Sequence, residues 1–376
     1  MDLAYTPEEE EFRARLRKWL GEALPTLPPP PDPADWPARR AYDLGWQRML
    51  HDAGYADVHW DAPPGIRLVY LEETERAGAP YVGANFVGLL HAGPTIAAEG
   101  TEEQRARWLP PILRGEEVWC QGFSEPGAGS DLASLRTRAW RDGDHYVVSG
   151  SKIWTSHAEV ADWCELLVRT DPDAPKHRGI TWLALRMDAP GVTVRPLRTL
   201  AGSTEFAEVF LDEVRVPVAH RVGAENDGWR VTMVTLSFER GTAFAGEVVA
   251  CRRVLRELAA EARANGRWDD PALRRGLGRL NAEFRALWRL IQWNVSEADA
   301  GGVPGVGGSV FKLRYSHARQ DLYDTAADVL GPDALDLGRG WVLDRLSSLS
   351  YTIAAGTSQI QRNIVAERIL GLPKGR

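Results

Sequence analysis

Residues 119–131 read WCQGFSEPGAGSD and residues 151–156 read SKIWTS. Pro126, Gly127 and Gly129 impose an irregular loop with exposed backbone N–H groups, and Ser124 and Ser130 set hydroxyl donors beside it. Such a nest suits a phosphate or pyrophosphate. Trp154, followed by Thr155 and Ser156, offers an aromatic face with hydroxyls behind it, which suits a flat heteroaromatic ring. Taken singly, the first motif reads equally well as a Gly-Pro turn and the second as a core tryptophan; the two together carry the signal. Other signatures are missing: no His-Glu-x-x-His zinc helix, no Walker loop, no Gly-x-Ser-x-Gly elbow. The 8 histidines are dispersed, so no metal site is expected. Gly305 and Gly307 resemble a fragment of a dinucleotide fingerprint, but no strand precedes them, and they read as a flexible connection.

Three stretches of different texture must position these motifs. The first is helical. Thr6 is a candidate N-cap, Pro7 suits the first helical position, Glu8 to Glu10 complement the dipole, and Phe12, Leu16, Trp19 and Leu20 recur at helical spacing. The run Pro25 to Pro37 is a stiff connector. Helical signals return at Trp36 to Ala53 and Leu68 to Ala77, and Thr101 with Gln104 makes a capping box. From about residue 119, short β-rich segments follow: Leu135 to Trp140, Tyr146 to Val148, Trp163 to Arg169, Ile180 to Arg186, Val192 to Arg195, Phe206 to Leu211 and Val214 to Val216, with a turn at Asp142-Gly143. They predict a mostly antiparallel β-domain. From Gly228 the period is helical again, over Val231 to Ala264, Leu273 to Ala298, Val310 to Leu330 and Thr357 to Leu370. Long helices with short connections predict an antiparallel bundle.

With its two motifs, the chain resembles the acyl-CoA dehydrogenase family. The resemblance also runs through the opening Pro-Glu-Glu-Glu at 7–10, GTEEQRARWLPPILRGE at 100–116, EVRVPVAHRVGAENDGW at 213–229 and AAGTSQIQRNIVAERILGLP at 354–373. It implies an α+β multidomain fold: an α-helical N-terminal domain (1–118), a central antiparallel β-domain (119–222) and a C-terminal four-helix bundle (223–376). The active site is expected where the second meets the third. It implies FAD as cofactor. Phe123 and Ser124 fall at flavin-ring positions, Gly129 and Ser130 near the pyrophosphate, Trp154 and Ser156 beside the isoalloxazine, and Thr357 and Gln359 at FAD contacts of the last helical segment. Ser130 also falls where the loop touches the acyl-CoA. The implied reaction is α,β-dehydrogenation of an acyl-CoA thioester to the 2-enoyl-CoA, with electrons passed to an electron-transfer flavoprotein.

That reaction needs a base, because an α-proton of a thioester is only weakly acidic. In many family members it is the Glu of Tyr-Glu-Gly-Thr. Here the run is Ala354-Ala355-Gly356-Thr357, and Ala355 cannot take a proton. Isovaleryl- and long-chain-type dehydrogenases place the Glu before an Arg on the first helix of the last domain. The matching segment, LSFERG, gives Glu239 as the base and Arg240 beside it at the substrate. Ala355 can still offer its backbone N–H to the thioester carbonyl. Glu247 is a weaker candidate, read as structural or substrate-facing. Ala243 to Ala245 are candidates for the acyl pocket. Two family features are altered: residues 262–271 read ARANGRWDDP in place of an Arg-x-Thr-Phe-Gly-like run, and 330–335 read LGPDAL in place of a Gly-Gly-x-Gly loop. Both normally contribute across a subunit interface. A homodimer or homotetramer is therefore weighed against a hetero-oligomer, and two other readings stay open: a non-catalytic or half-site FAD-binding subunit, and a related flavin oxidase.

Composition bounds the rest. The 376 residues suit two or three domains. A net charge of −7 disfavours nucleic acid as a partner. The 40 arginines outnumber 5 lysines but are scattered, as in a coding bias. Three cysteines without close spacing fit a reducing, cytoplasmic setting. Neither a secretory signal nor an integral membrane segment is expected. Tryptophan is abundant, at 15; only Trp154 is assigned to the site, with Trp119 as possible support. Trp19, Trp46, Trp108, Trp288 and Trp293 read as core or interface packing.

Overall fold

The computed structural model describes residues 4–60, 62–239, 245–299 and 307–374, apart from the side chains of 237–239 and 297–299. In chain order, α1 (Pro7–Ala23), α2 (Trp36–Asp52), α3 (Pro64–Ala77), α4 (Gly93–Glu99) and α5 (Glu102–Leu113) lead into strands. These are β1 (Trp119–Gly122), β2 (Arg138–Asp142), β3 (His145–Ser156), β4 (Trp163–Arg169), β5 (Ile180–Arg186), β6 (Val192–Leu197), β7 (Phe206–Pro217) and β8 (Arg221–Val222). Then come α6 (Gly228–Glu239), α7 (Ala245–Ala264), α8 (Pro271–Asp299), α9 (Gly307–Leu330), α10 (Gly340–Ser348) and α11 (Ser358–Ile364). Capping boxes start α1 at Thr6 with Glu9 and α5 at Thr101 with Gln104. The Pro-rich run between α1 and α2 makes one short 3-10 turn and is otherwise irregular to Asp35.

Three details depart from the reading of the sequence. The strand expected from Leu135 begins only at Arg138, because a 3-10 turn at Leu132–Ser134 delivers the chain there. The strand expected to stop at Val148 runs on to Ser156 and so contains SKIWTS. Its Ser-Gly-Ser looks like a turn, but Gly150 is there for space: a Cβ would sit 2.7 Å from the Cα of Thr137. The helix α10 and the 3-10 turn before it, Gly331–Leu335, were not expected; at 9 residues α10 is too short for its apolar period to stand out.

The chain forms two compact units. One comprises Thr26–Asp61 and Pro80–Glu239. It holds α2, α4, α5, α6 and the sheet, ordered β6-β7-β3-β2-β4-β5-β8 with β1 joined to β4. Most pairings are antiparallel; β1 and β2 run parallel to β4. Successive side chains of a strand face opposite sides. On β4, Trp163 and Leu167 therefore join a core with α5 and α6 (Trp108, Ile112, Val231), while Cys164, Leu166 and Val168 join a second core with Val148, Leu183 and Val209. Four indoles stack in the first core: Trp119 lies 5.5 Å from Trp163 and 6.5 Å from Trp182, and Trp108 meets Trp119 edge-on at 5.9 Å. The other unit comprises Met1–Pro25, Ala62–Ala79 and Arg240–Arg376. In it α3 packs with α7 and α8 and carries α1 on it, so an early helix pair joins the C-terminal helices. No described helix is long and apolar enough to cross a membrane.

Candidate active site

Phe123, Ser124, Gly129, Ser130, Trp154 and Ser156 all belong to the sheet-containing unit. After β1 the chain turns sharply at Glu125–Ala128, whose N–H and C=O groups exchange two bonds of 3.0 Å. Phe123 is buried, whereas Pro126, Gly127, Gly129 and Ser130 are exposed. Added Cβ atoms at Gly127 or Gly129 would meet nothing within 4 Å, so the turn presents open backbone. The Ser124 carbonyl accepts from the Ile153 N–H at 2.9 Å, which ties the turn to β3 next to Trp154.

Trp154 is held in an unusual posture. Between Lys152 and Thr155 the pairing of β3 with β7 slips: Lys152 faces Val209 and Thr155 faces Ala207, leaving one extra residue on β3. In a regular strand Lys152 and Trp154 would share a face. The bulge breaks that rule. Trp154 takes a left-handed φ of 61° and turns out, 57% exposed, its ring edge-on to Phe206 at 5.9 Å. Lys152 and Thr155 both turn in.

An ion pair the motifs did not reveal lies under the turn. Buried Lys152 donates from Nζ to Glu125 Oε1 at 2.8 Å and to the Phe123 carbonyl at 3.1 Å. Glu125 also accepts from the N–H groups of Arg136 and Thr137 at 2.7 and 2.8 Å. Burial alone would raise the Glu125 pKa, but the Lys152 ammonium and these donors outweigh it and hold the carboxyl below its usual range. Burial pulls the Lys152 pKa down despite its partner. Both residues sit inside the quoted motifs, as the E of SEPG and the K of SKIW; a lysine alternating with inward residues on a strand was the available signal. At the end of β3, His157 is also left-handed, with φ 58°; burial and nearby Arg39 lower its pKa to about 4.

Ala355, Thr357 and Gln359 belong to the other unit, the first two in the turn before α11 and Gln359 in its first helical turn. Thr357 is the N-cap, accepting from the Ile360 N–H at 3.2 Å, and Gln359 is exposed. Ala355 is exposed with φ 53°, followed by Gly356 at φ 81°. Glu239 ends α6, and its side chain lies outside the described residues, as do Arg240, Ala243 and Phe244 entirely. Glu247, the weaker candidate, accepts from Tyr315, from Arg319 at 2.9 Å and from Tyr351 at 3.3 Å. So engaged on both oxygens, the carboxylate ties α7 to α9.

The chain matches the family descriptions "Acyl-CoA dehydrogenase, N-terminal domain" over residues 6–116, "middle domain" over 120–214 and "C-terminal domain" over 226–370. The chain belongs to the acyl-CoA dehydrogenase family. Acyl-CoA dehydrogenase IpdE1 of Mycobacterium tuberculosis is 39% identical, covering 97% of this chain and 98% of its own. Among solved structures, "Tcur3481-Tcur3483 steroid ACAD" superposes with a TM-score of 0.85 at 32% identity, over 100% of both chains. The ChsE4-ChsE5 complex of M. tuberculosis gives 0.80 at 32% identity, again over 100% of both chains. The acyl-CoA dehydrogenase is an FAD-dependent oxidoreductase acting on acyl-CoA thioesters, with the family's helical, β-sheet and helical segments in chain order. The residues present fit such a cofactor: an exposed turn with open backbone, an outturned indole on a strained bulge, and Thr155 Oγ1 buried with no partner among the described residues.

Proposed function

We propose that this acyl-CoA dehydrogenase uses Glu239 as the base for the α-proton and the Ala355 N–H as a donor to the thioester carbonyl. The observation that carries this reading is the left-handed Ala355 turn. A methyl group replaces the carboxylate there, yet the backbone keeps a special posture and an exposed amide. The base must then come from elsewhere, and Glu239 at the end of α6 matches the isovaleryl and long-chain arrangement. FAD would be held by Phe123, Ser124, Gly129, Ser130, Trp154 and Ser156 and by Thr357 and Gln359, and would supply the hydride acceptor for the β-hydrogen. Ser130 and Arg240 also contact the acyl-CoA. Hydrogen bonds to the thioester carbonyl stabilise the developing enolate as the proton leaves.

Glu239→Gln keeps the flavin spectrum but loses flavin bleaching by acyl-CoA thioesters. Retained turnover in this variant would overturn the assignment. We further propose an electron-transfer flavoprotein as acceptor; hydrogen peroxide formed under air at the rate of turnover identifies an oxidase instead. The three unpaired, buried thiols support a cytoplasmic setting.

A second chain of the same family as partner is favoured by two findings. The similar structures named above carry the names of two components each. Exposed large apolar side chains are frequent between residues 335 and 372, among them Leu335, Ile353, Leu370 and Leu372. Such a concentration marks an interface. A steroid-type acyl group is the first substrate class to test, by analogy with the Tcur3481-Tcur3483 steroid enzyme.

A further inference from the structure

The turn that carries Ala355 contains two successive left-handed residues. For alanine this costs about 1 kcal/mol, so its surroundings must hold it. Lys312 on α9 is 4% exposed and donates from Nζ to the Tyr351 carbonyl at 2.8 Å and the Gly356 carbonyl at 2.8 Å. One turn further on, the Ser316 hydroxyl also donates to the Tyr351 carbonyl, at 2.8 Å. Gln361 on α11 is 2% exposed and donates from Nε2 to the Ala355 carbonyl at 3.0 Å and the Gly356 carbonyl at 3.2 Å. Tyr351 is secured at its far end too, its hydroxyl on Glu247 and its ring 4.1 Å from the Arg319 guanidinium. The carbonyls of this turn are thus taken by buried donors from two helices, while the Ala355 N–H has no partner among the described residues.

We propose that Lys312 and Gln361 are positioning residues, which grip the carbonyls of Ala355 and Gly356 from α9 and α11 and so keep the Ala355 N–H presented to an acyl thioester carbonyl. The proposal rests on the functional reading above. A donor of this kind acts only when it is fixed before the substrate arrives. With a methyl side chain at 355, the backbone is all that fixes it.

The test compares Lys312→Met, which keeps the apolar stem and removes the ammonium, with Gln361→Met and with Lys312→Arg, which retains a cationic donor. Two readouts are taken. In the ligand-free protein, amide hydrogen exchange over residues 351–357 rises about tenfold or more in both Met variants while the rest of α9 is unchanged. In the flavin-loaded enzyme, with octanoyl-CoA or a steroid acyl-CoA as probe, kcat falls about a hundredfold with little change in KM, the cost of misplacing a reacting group by about 1 Å. Lys312→Arg recovers part of both. Wild-type exchange and kcat in both Met variants overturn the proposal. So does failure of both to fold, which makes the two residues general supports. A wild-type enzyme bleached by neither probe counts against the functional reading instead, and the exchange readout alone then decides the grip.

Discussion

Trp154 combines two costs that a merely structural residue would avoid: a large apolar surface left in water and a left-handed backbone. Such a posture persists only when neighbours over-determine it. Here the bulge opposite Val209 and Ala207 and the bond from Ile153 to Ser124 do so. Glycine adopts the same φ without strain, and an indole so exposed contributes little packing. Trp154→Gly therefore leaves the unfolding free energy of the flavin-free protein in urea within about 1 kcal/mol of wild type, because relieved strain offsets the greater freedom of the unfolded chain. Flavin affinity falls at least about tenfold, about 1.4 kcal/mol. A large loss of stability with flavin binding intact would show that the ring packs the fold and does not face a ligand.

At the scale of elements, Lys152 and Glu125 bind the turn to β3 from inside. Removing one partner of a buried ion pair leaves the other charge uncompensated, which costs about 3–5 kcal/mol. Lys152→Met shows a loss of this order in urea unfolding, and the double variant with Glu125→Gln recovers part of it. The folded-state pKa of Glu125 is depressed, so its contribution is present above the unfolded carboxyl value and fades as pH falls through the folded one. Wild-type stability thus contains an acid-sensitive component; in Lys152→Met burial pushes the Glu125 carboxyl up instead, so the variant's deficit shrinks as pH falls. Much at this scale was legible in the residues: the N-cap at Thr6, the capping box at Thr101, and β4 and β5 to the residue. The ion pair was not, because its members are 27 positions apart and look like ordinary surface charges until the bulge turns Lys152 inward. Nor was the grip of Lys312, because an isolated lysine in a helix carries no sign of which carbonyls it meets.

At the scale of the molecule, the packing of α3 with α7 and α8 could not be read from periodicity, which reports each helix's apolar face but not its distant partner. The altered segments at 262–271 and 330–335 bear on assembly. The first lies in the α7–α8 connection and the second in the 3-10 turn after α9, where Leu335 is exposed. Purified alone, the chain is expected to hold FAD substoichiometrically; co-expressed with a second chain of the family, the pair carries a flavin that acyl-CoA bleaches. Full flavin loading and turnover by the chain alone would show that it completes its own site. The net charge of −7 leaves such a partner no strong electrostatic demand, so apolar contact is expected to dominate association.

The abundance of tryptophan acquires a practical meaning in the first core. Trp163 and Trp182 stand 5.5 and 6.5 Å from Trp119, the first nearly parallel to it at 16°, and Trp108 meets Trp119 and Trp163 edge-on at 5.9 and 5.5 Å. Transition dipoles that close couple, so the near-ultraviolet circular dichroism of this protein carries an exciton signal that exists only while the sheet and α5 are packed. The sheet-containing unit has, in effect, its own optical label. Its melting can be followed separately from the helical bundle, without any added probe.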